Sequence, residues 1–120
     1  MNKHQALTAW AAACAERVLF VFEEASPFDK RPREAVAAAR SWIRGELKMT
    51  EARKFAFAAH AAAREVIDIQ AIAAARSAGH AAATAHVPAH AKYAASYALK
   101  AVKDIEDEKE WQQKYFPDNH

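Results

Sequence analysis

Apolar side chains recur along most of this chain at the three- and four-residue steps that place them on one face of an α-helix. The first such segment covers about residues 3–25. Its second half contains the run 18–22, which is apolar on nearly every side and therefore predicts a central position in the fold. Pro27 and Pro32 follow and end this helix, because proline lacks the backbone N–H that a helix interior needs.

The same spacing predicts further helices along the rest of the chain. Pro32 suits the first turn of a second helix, and Gly45 is a natural C-terminal stop for it. Thr50 is placed to cap a third helix. The patch 66–69 is the expected end of that helix, with Asp68 capping the next, although one long helix through the patch also fits the pattern. The second, fourth and fifth helices are predicted at about residues 33–44, 69–86 and 88–115.

Composition points to the same fold class. Alanine accounts for 33 of 120 residues, and glycine and proline for only 2 and 4. Alanine is the best helix former and a poor strand former. We therefore expect an all-α fold: a compact single-domain bundle of five or six helices over residues 1–120, with no sheet and a short frayed tail at 116–120. The larger core side chains are expected to be Trp10, Phe20, Phe22, Trp42, Phe55 and Val102.

Charge and cysteine content restrict the partners and the compartment. The net charge of +2 is too near balance to predict specific binding of nucleic acid, although residues 30–65 are locally basic and residues 104–120 locally acidic. Cys14 is the only cysteine, so no internal disulfide forms, and its alanine-rich surroundings predict a buried thiol. No spanning helix and no signal peptide are evident. A cytoplasmic location with no membrane partner is expected.

Histidines are the first candidate chemistry. His86 and His90 have the four-residue spacing that lets two imidazoles bind one metal ion, but Pro88 lies between them. A metal site formed by His80, His86 and His90, or a small-ligand site that also uses His60, is the alternative that this spacing leaves open. The other interpretation is that the histidines form hydrogen bonds within an alanine-rich interface.

Polar stripes give a second candidate site. If the third, fourth and fifth helices pack side by side, their polar positions converge on one groove. Such a groove would offer arginine, histidine and lysine donors with few carboxylates, which suits an anionic partner. The alternative is that these long side chains simply extend from helix edges into solvent. The predicted partner-binding groove consists of His60, Arg64, Arg76, His80, Thr84, His86, His90, Tyr97 and Lys100.

Signatures of catalysis and of cofactor binding are missing from the sequence. There is no glycine-rich phosphate loop, no nucleophile elbow and no Cys-x-x-Cys pair. The sequence therefore predicts neither an enzyme nor a bound cofactor.

Three stretches of the sequence resemble a known family. Pro27, Asp29, Arg31 and Pro32 form one signature together with the following tryptophan and glycine, and residues 58–64 form a second. The most specific match is the spacing of Arg76, Gly79, His80, Thr84, His86 and His90, which continues through Tyr97 and Lys100. From about residue 5 to residue 103, the chain resembles small, alanine-rich, all-helical immunity proteins of bacterial polymorphic-toxin systems.

That resemblance implies a stoichiometric inhibitor that binds a cognate toxin domain inside the producing cell, and it implies no catalysis. The sequence leaves the toxin and the oligomeric state open. Two surfaces are candidates for the contact. The groove described above is favoured, and the acidic run 104–110 next to Trp111 is the alternative.

Overall fold

The computed structural model describes residues 1–118 and contains, within them, six α-helices and no strand. This confirms the predicted all-α class. The helices are α1 (Lys3–Ala25), α2 (Arg31–Ile43), α3 (Met49–Ala63), α4 (Ile69–Ala83), α5 (His90–Ala101) and α6 (Ile105–Tyr115).

Local signals in the sequence explain most of the helix ends. Asn2 caps α1 through a reciprocal pair of hydrogen bonds with Gln5. Gly45 follows the end of α2 with a φ of +76°, a left-handed conformation that glycine adopts without strain. The expected cap of α3 is wrong, because α3 begins one residue before Thr50 and Lys48 occupies the cap position.

Two predicted boundaries are resolved by the structure. The break near the 66–69 patch is real: α3 ends at Ala63, and α4 starts directly after Asp68. The prediction of one final helix from 88 to 115 is wrong. Val102 is extended there, and the side chain of Asp104 accepts a hydrogen bond from the N–H of Asp107, which starts α6 as a separate helix.

The centre of the bundle is formed by α1 and α4. Helix α4 packs against α1, α2, α3 and α5, and α1 packs against α2, α4 and α5. The Cα atoms span 39 × 32 × 18 Å, so the bundle is about two helices thick. Apart from alanines, the larger buried apolar side chains among the described residues are Trp10, Cys14, Val18, Leu19, Phe22, Pro32 and Val36.

The expected large core residues are only partly correct. Trp10 and Phe22 are buried, whereas Trp42, Phe55 and Val102 are half-buried. The prediction of Phe20 as a core residue is wrong, because 55% of this residue is exposed. The run 18–22 is apolar on more sides than the bundle covers, and Phe20 lies on the uncovered side.

Helix α6 is fixed to α1 mainly through polar side chains. Glu108 is buried and accepts two hydrogen bonds from the guanidinium of Arg17, at 2.8 and 3.1 Å. The indole of Trp10 donates to the carbonyl of Gln112, whose side-chain amide donates to the carbonyl of Ala95. The acidic run is thus not wholly solvated, since one of its carboxylates ties two helices together.

The predicted frayed tail is described in part. Phe116 packs edge-on against Trp10, with ring centroids 4.9 Å apart. Residues 119 and 120 lie outside the described part of the chain.

By length and composition alone, α1 is the one helix within residues 1–118 that could cross a membrane; the mean hydropathy of its 18-residue window is 1.2. Central helices of globular folds meet the same criterion. In this bundle α1 buries Val18, Leu19 and Phe22 against its neighbours.

Candidate partner-binding face

Three histidines from three different helices meet at one place. The His80 ring of α4 lies between the His60 ring of α3 and the His90 ring of α5, with centroid distances of 4.9 and 5.1 Å. The Nδ1 atoms of His80 and His90 are 2.9 Å apart, so one of these nitrogens donates a hydrogen and the other accepts it. The predicted convergence of α3, α4 and α5 therefore holds for these three residues.

Two tyrosines of α5 complete the aromatic group. Tyr97 stacks on the His80 ring at 5.4 Å with only 8° between the planes, and Tyr93 lies 5.4 Å from the same ring. We refer to His60, His80, His90, Tyr93 and Tyr97 as the histidine–tyrosine cluster. His80 is its centre, because it contacts all four of the other rings.

Gly79 allows α3 and α4 to approach at this cluster. A Cβ atom placed on Gly79 would lie 2.7 Å from both Cε1 and Nε2 of His60, well inside van der Waals contact. Glycine inside a helix costs roughly 1 kcal/mol relative to alanine. The missing side chain of Gly79 leaves the space that the His60 ring occupies, which offsets this cost.

Burial keeps these imidazoles neutral. Desolvation is the main cause that lowers the pKa of His60 to about 4 and that of His80 to about 4, and it also lowers the pKa of His90. The positive charge of Arg76 adds to the effect on His60 and His80, and that of Arg64 adds to the effect on His60. At neutral pH the cluster is a set of uncharged donors and acceptors.

The alternative metal site at His80, His86 and His90 gains no support from the geometry. No group of three or more His, Cys, Asp or Glu side chains within residues 1–118 is arranged to hold a metal ion. His80 and His90 direct nitrogens at each other, and His86 is exposed beyond the end of α4.

A cavity of about 300 Å³ lies beside the cluster. Its walls come from the exposed side of α3, the end of α4 and the start of α5. The lining residues are Arg53, Ala56, Phe57, His60, Ala83, His86 and His90.

Cations without carboxylate partners surround this region. Among residues 1–118, Arg53, Arg64 and Arg76 form no ion pair, whereas the other five arginines each pair with a carboxylate. From residue 69 to residue 103 the sequence contains no Asp or Glu. Lysines lie over the outer tyrosine rings: Lys92 over Tyr93 at 5.4 Å and Lys100 over Tyr97 at 4.9 Å.

The other predicted groove residues are distributed around the cluster. Arg76 is half-buried, and Arg64, His86 and Lys100 are exposed. Thr84 is fully buried: its hydroxyl donates to the carbonyl of His80, and its own carbonyl lies 2.6 Å from Nε2 of His4. Thr84 therefore lies beneath the surface and stabilises the C-terminal end of α4 through these contacts.

The predicted groove did not include four residues of this region. Tyr93 lies three positions after His90, a spacing that places both on one helix face. Arg53 and Phe57 precede His60 at helical spacing, and the Arg53 guanidinium lies 5.3 Å from the Phe57 ring. His4 had no signal in the sequence, because its contacts to Thr84 and to the Trp42 ring join distant parts of the chain.

The fold and this face define a small helical bundle with a cationic, aromatic surface. Over residues 1–119 the chain matches the family described as "Imm-5 like putative immunity protein", and it belongs to that family. Searches of curated proteins and of solved structures each gave no match.

Proposed function

We propose that this protein is a non-catalytic, cytoplasmic inhibitor of a cognate bacterial toxin domain, and that it binds the toxin through the face formed by α3, α4 and α5. Membership of an immunity-protein family supports a toxin partner in general terms. The observation that carries the choice of face is the clustering of unpaired cations and aromatic rings around His80. Aromatic residues and arginine are enriched in the hot spots of protein interfaces.

The chemistry of this face favours an acidic partner surface. Arg53, Arg64 and Arg76 are free to pair with carboxylates of another protein, and no acidic side chain between residues 69 and 103 competes for them. Charge complementarity of this kind steers association and selects among partners. An acidic active-site cleft of a toxin fits this description.

The acidic run 104–110 is the weaker candidate. Its buried member, Glu108, already pairs with Arg17 and holds α6 on α1. The remaining carboxylates are too few to imitate a nucleic acid in a protein whose net charge is +2. We therefore place the contact on the histidine side of the bundle.

The charge distribution also disfavours a nucleic-acid partner. Within the basic region 30–65, Arg31, Arg33, Arg40 and Arg44 are all engaged by carboxylates of this same chain. Only weak, salt-sensitive binding to arbitrary duplex DNA is expected.

The test is a protection assay in a bacterial host. The chain is co-expressed with a candidate toxin domain from a gene that neighbours its own, and survival is measured. Replacing His80, His86 and His90 together by alanine should abolish protection while circular dichroism shows unchanged helicity. The matched control neutralises exposed carboxylates of α6, by Asp107→Asn with Glu110→Gln, and should protect like the wild type.

A second variant separates binding from folding. Arg76→Gln with Lys100→Gln removes two charges of the face and leaves the histidine packing in place, so it should fold and protect less well. Full protection by this variant together with loss of protection in the α6 variant would show that the face is wrongly assigned. If the triple alanine variant unfolds, the charge variant alone decides.

A further inference from the structure

The cavity at the edge of the histidine–tyrosine cluster has the shape and wall chemistry of a receptor for one side chain. Its volume of about 300 Å³ exceeds that of any single amino-acid side chain, and Ala56, Phe57 and Ala83 give it apolar walls. Phe57 is 59% exposed, so its ring is accessible for contact with another molecule.

The polar side chains that line this cavity are one arginine and three histidines, Arg53, His60, His86 and His90. Arg53 forms no ion pair among the described residues, and its guanidinium lies over the Phe57 ring. His86 and His90 contribute the opposite wall. No carboxylate lines the cavity, so a negative charge entering it would meet no repulsion.

His60, one of the residues that line the cavity, has unused hydrogen-bonding capacity. Its Nδ1 atom is buried and has no hydrogen-bond partner within the part of the chain that the structure describes. A buried polar atom without a partner is costly, and in native proteins it calls for a specific explanation such as a ligand that completes the site.

We propose that this cavity receives an acidic side chain of the toxin, with Arg53 pairing with the carboxylate and Phe57 packing against the adjoining apolar part of the toxin surface. This inference rests on the proposed function and identifies the anchoring point within it. The portion of the face around Tyr97 and Lys100 then forms the rim of the interface.

Binding at this cavity is expected to take up a proton. A carboxylate next to His60 or His90 favours the charged imidazolium, which burial and nearby charges disfavour in the free protein. The groups that face His60 are Arg64 on its own helix, Arg76 and His80 on α4, and His90 on α5, all positive or neutral. Since the pKa of His60 or His90 rises on binding, the affinity for the toxin should increase as the pH falls from 7.5 to 5.5.

The experiment is isothermal titration calorimetry of the full chain with the toxin domain against which it protects in the assay above. Arg53→Gln should weaken binding about tenfold, as expected for one charge-assisted pair. Lys54→Gln is the matched control, because it removes the same charge from the neighbouring exposed position and does not line the cavity. Titration in two buffers that differ in ionisation enthalpy should show net proton uptake, and His60→Gln should reduce that uptake.

The outcomes distinguish this inference from the proposed function. Equal affinities of the Arg53→Gln and Lys54→Gln variants, with no proton uptake by the wild type, would overturn the cavity as the anchoring point while toxin binding stands. Absence of any binding by the wild-type chain would overturn both. Selective loss in Arg53→Gln together with proton uptake supports the inference.

Discussion

The arginines of this protein divide into two groups that differ in what surrounds them. The five up to residue 44 each bond a carboxylate of the same chain, and three of these bonds join helices: Arg17 to Glu108, Arg33 to Glu23 and Arg40 to Glu16. The three that follow, Arg53, Arg64 and Arg76, have no such partner within residues 1–118. The same side chain therefore serves the fold in the first group and remains available to another molecule in the second. We call the surroundings of the first group the paired side and those of the second group the unpaired side.

The difference also determines how each side responds to protons. On the paired side, hydrogen bonds from Arg33 and Arg31 lower the pKa of Glu23 and Asp29, so these carboxylates stay charged to low pH. On the unpaired side, uncompensated positive charge adds to burial in lowering the pKa of His60 and His80. Acid should therefore affect the unpaired side first.

The largest expected effect is a loss of stability on mild acidification. The pKa values of His60 and His80 are about 4 in the folded protein and about 6.5 when unfolded, so between these values the unfolded chain binds more protons. The free energy of unfolding should fall by about 3 kcal/mol from pH 7 to pH 4.5, after discounting for the partial exposure of both rings. Urea unfolding at a series of pH values measures this fall in the free energy of unfolding.

A variant assigns this loss to the cluster. His60→Gln has a similar size and takes up no proton, so the slope of stability against pH should be shallower by about half. The contribution of the paired carboxylates is present above about pH 4.3 and is lost only below it, outside this window. A slope that is unchanged in His60→Gln would assign the acid sensitivity to another part of the molecule.

The next largest effect concerns the bond between α6 and α1. Glu108→Ala leaves the Arg17 guanidinium without its carboxylate and should lower the free energy of unfolding by about 2 kcal/mol, less than for a fully buried pair because Arg17 is 40% exposed. Glu110→Ala, on the exposed side of the same helix, is the control. Toxin affinity measured by calorimetry should be unchanged in both, since the paired side makes no contact in our proposal.

The smallest effect compares one arginine from each group. Arg76→Gln should change stability by less than about 0.5 kcal/mol, and it should raise the pKa of His60 and of His80 by relieving charge repulsion. Arg40→Gln should cost up to about 1 kcal/mol through loss of the Glu16 pair and leave both histidine pKa values unchanged. Histidine titration by NMR checks both; equal pKa values in the two variants would contradict the division.

Local rules predicted much of this fold and failed where tertiary packing decides. The proline and glycine signals placed the ends of α1 and α2, because those residues act through their own backbone. The division between α5 and α6 was missed, since Val102 and Asp104 interrupt a pattern that continues on both sides. Phe20 was misplaced because a run that is apolar on all sides does not specify which side the bundle leaves open.

The candidate site was predicted to a similar extent. Helical spacing identified His60, His80 and His90, and the structure brings them together. Gly79 was recognised as part of a sequence signature, which did not indicate that the His60 ring would lie against it. The stacking of Tyr97 and the position of the cavity depend on the rotation of three helices about their axes, which residue spacing does not specify.

The alanine core has a consequence for the thermodynamics of association. Alanine has no side-chain rotamers, so the layer of α4 and α5 beneath the histidine–tyrosine cluster has almost no side-chain entropy left to lose. Rigid surfaces bind with a smaller ordering cost than surfaces that must settle into place. In a complex, the ordering cost would arise from the long, exposed cationic side chains at the rim and from the partner. Such a protein holds its contact surface in a shape close to the bound one before the partner arrives.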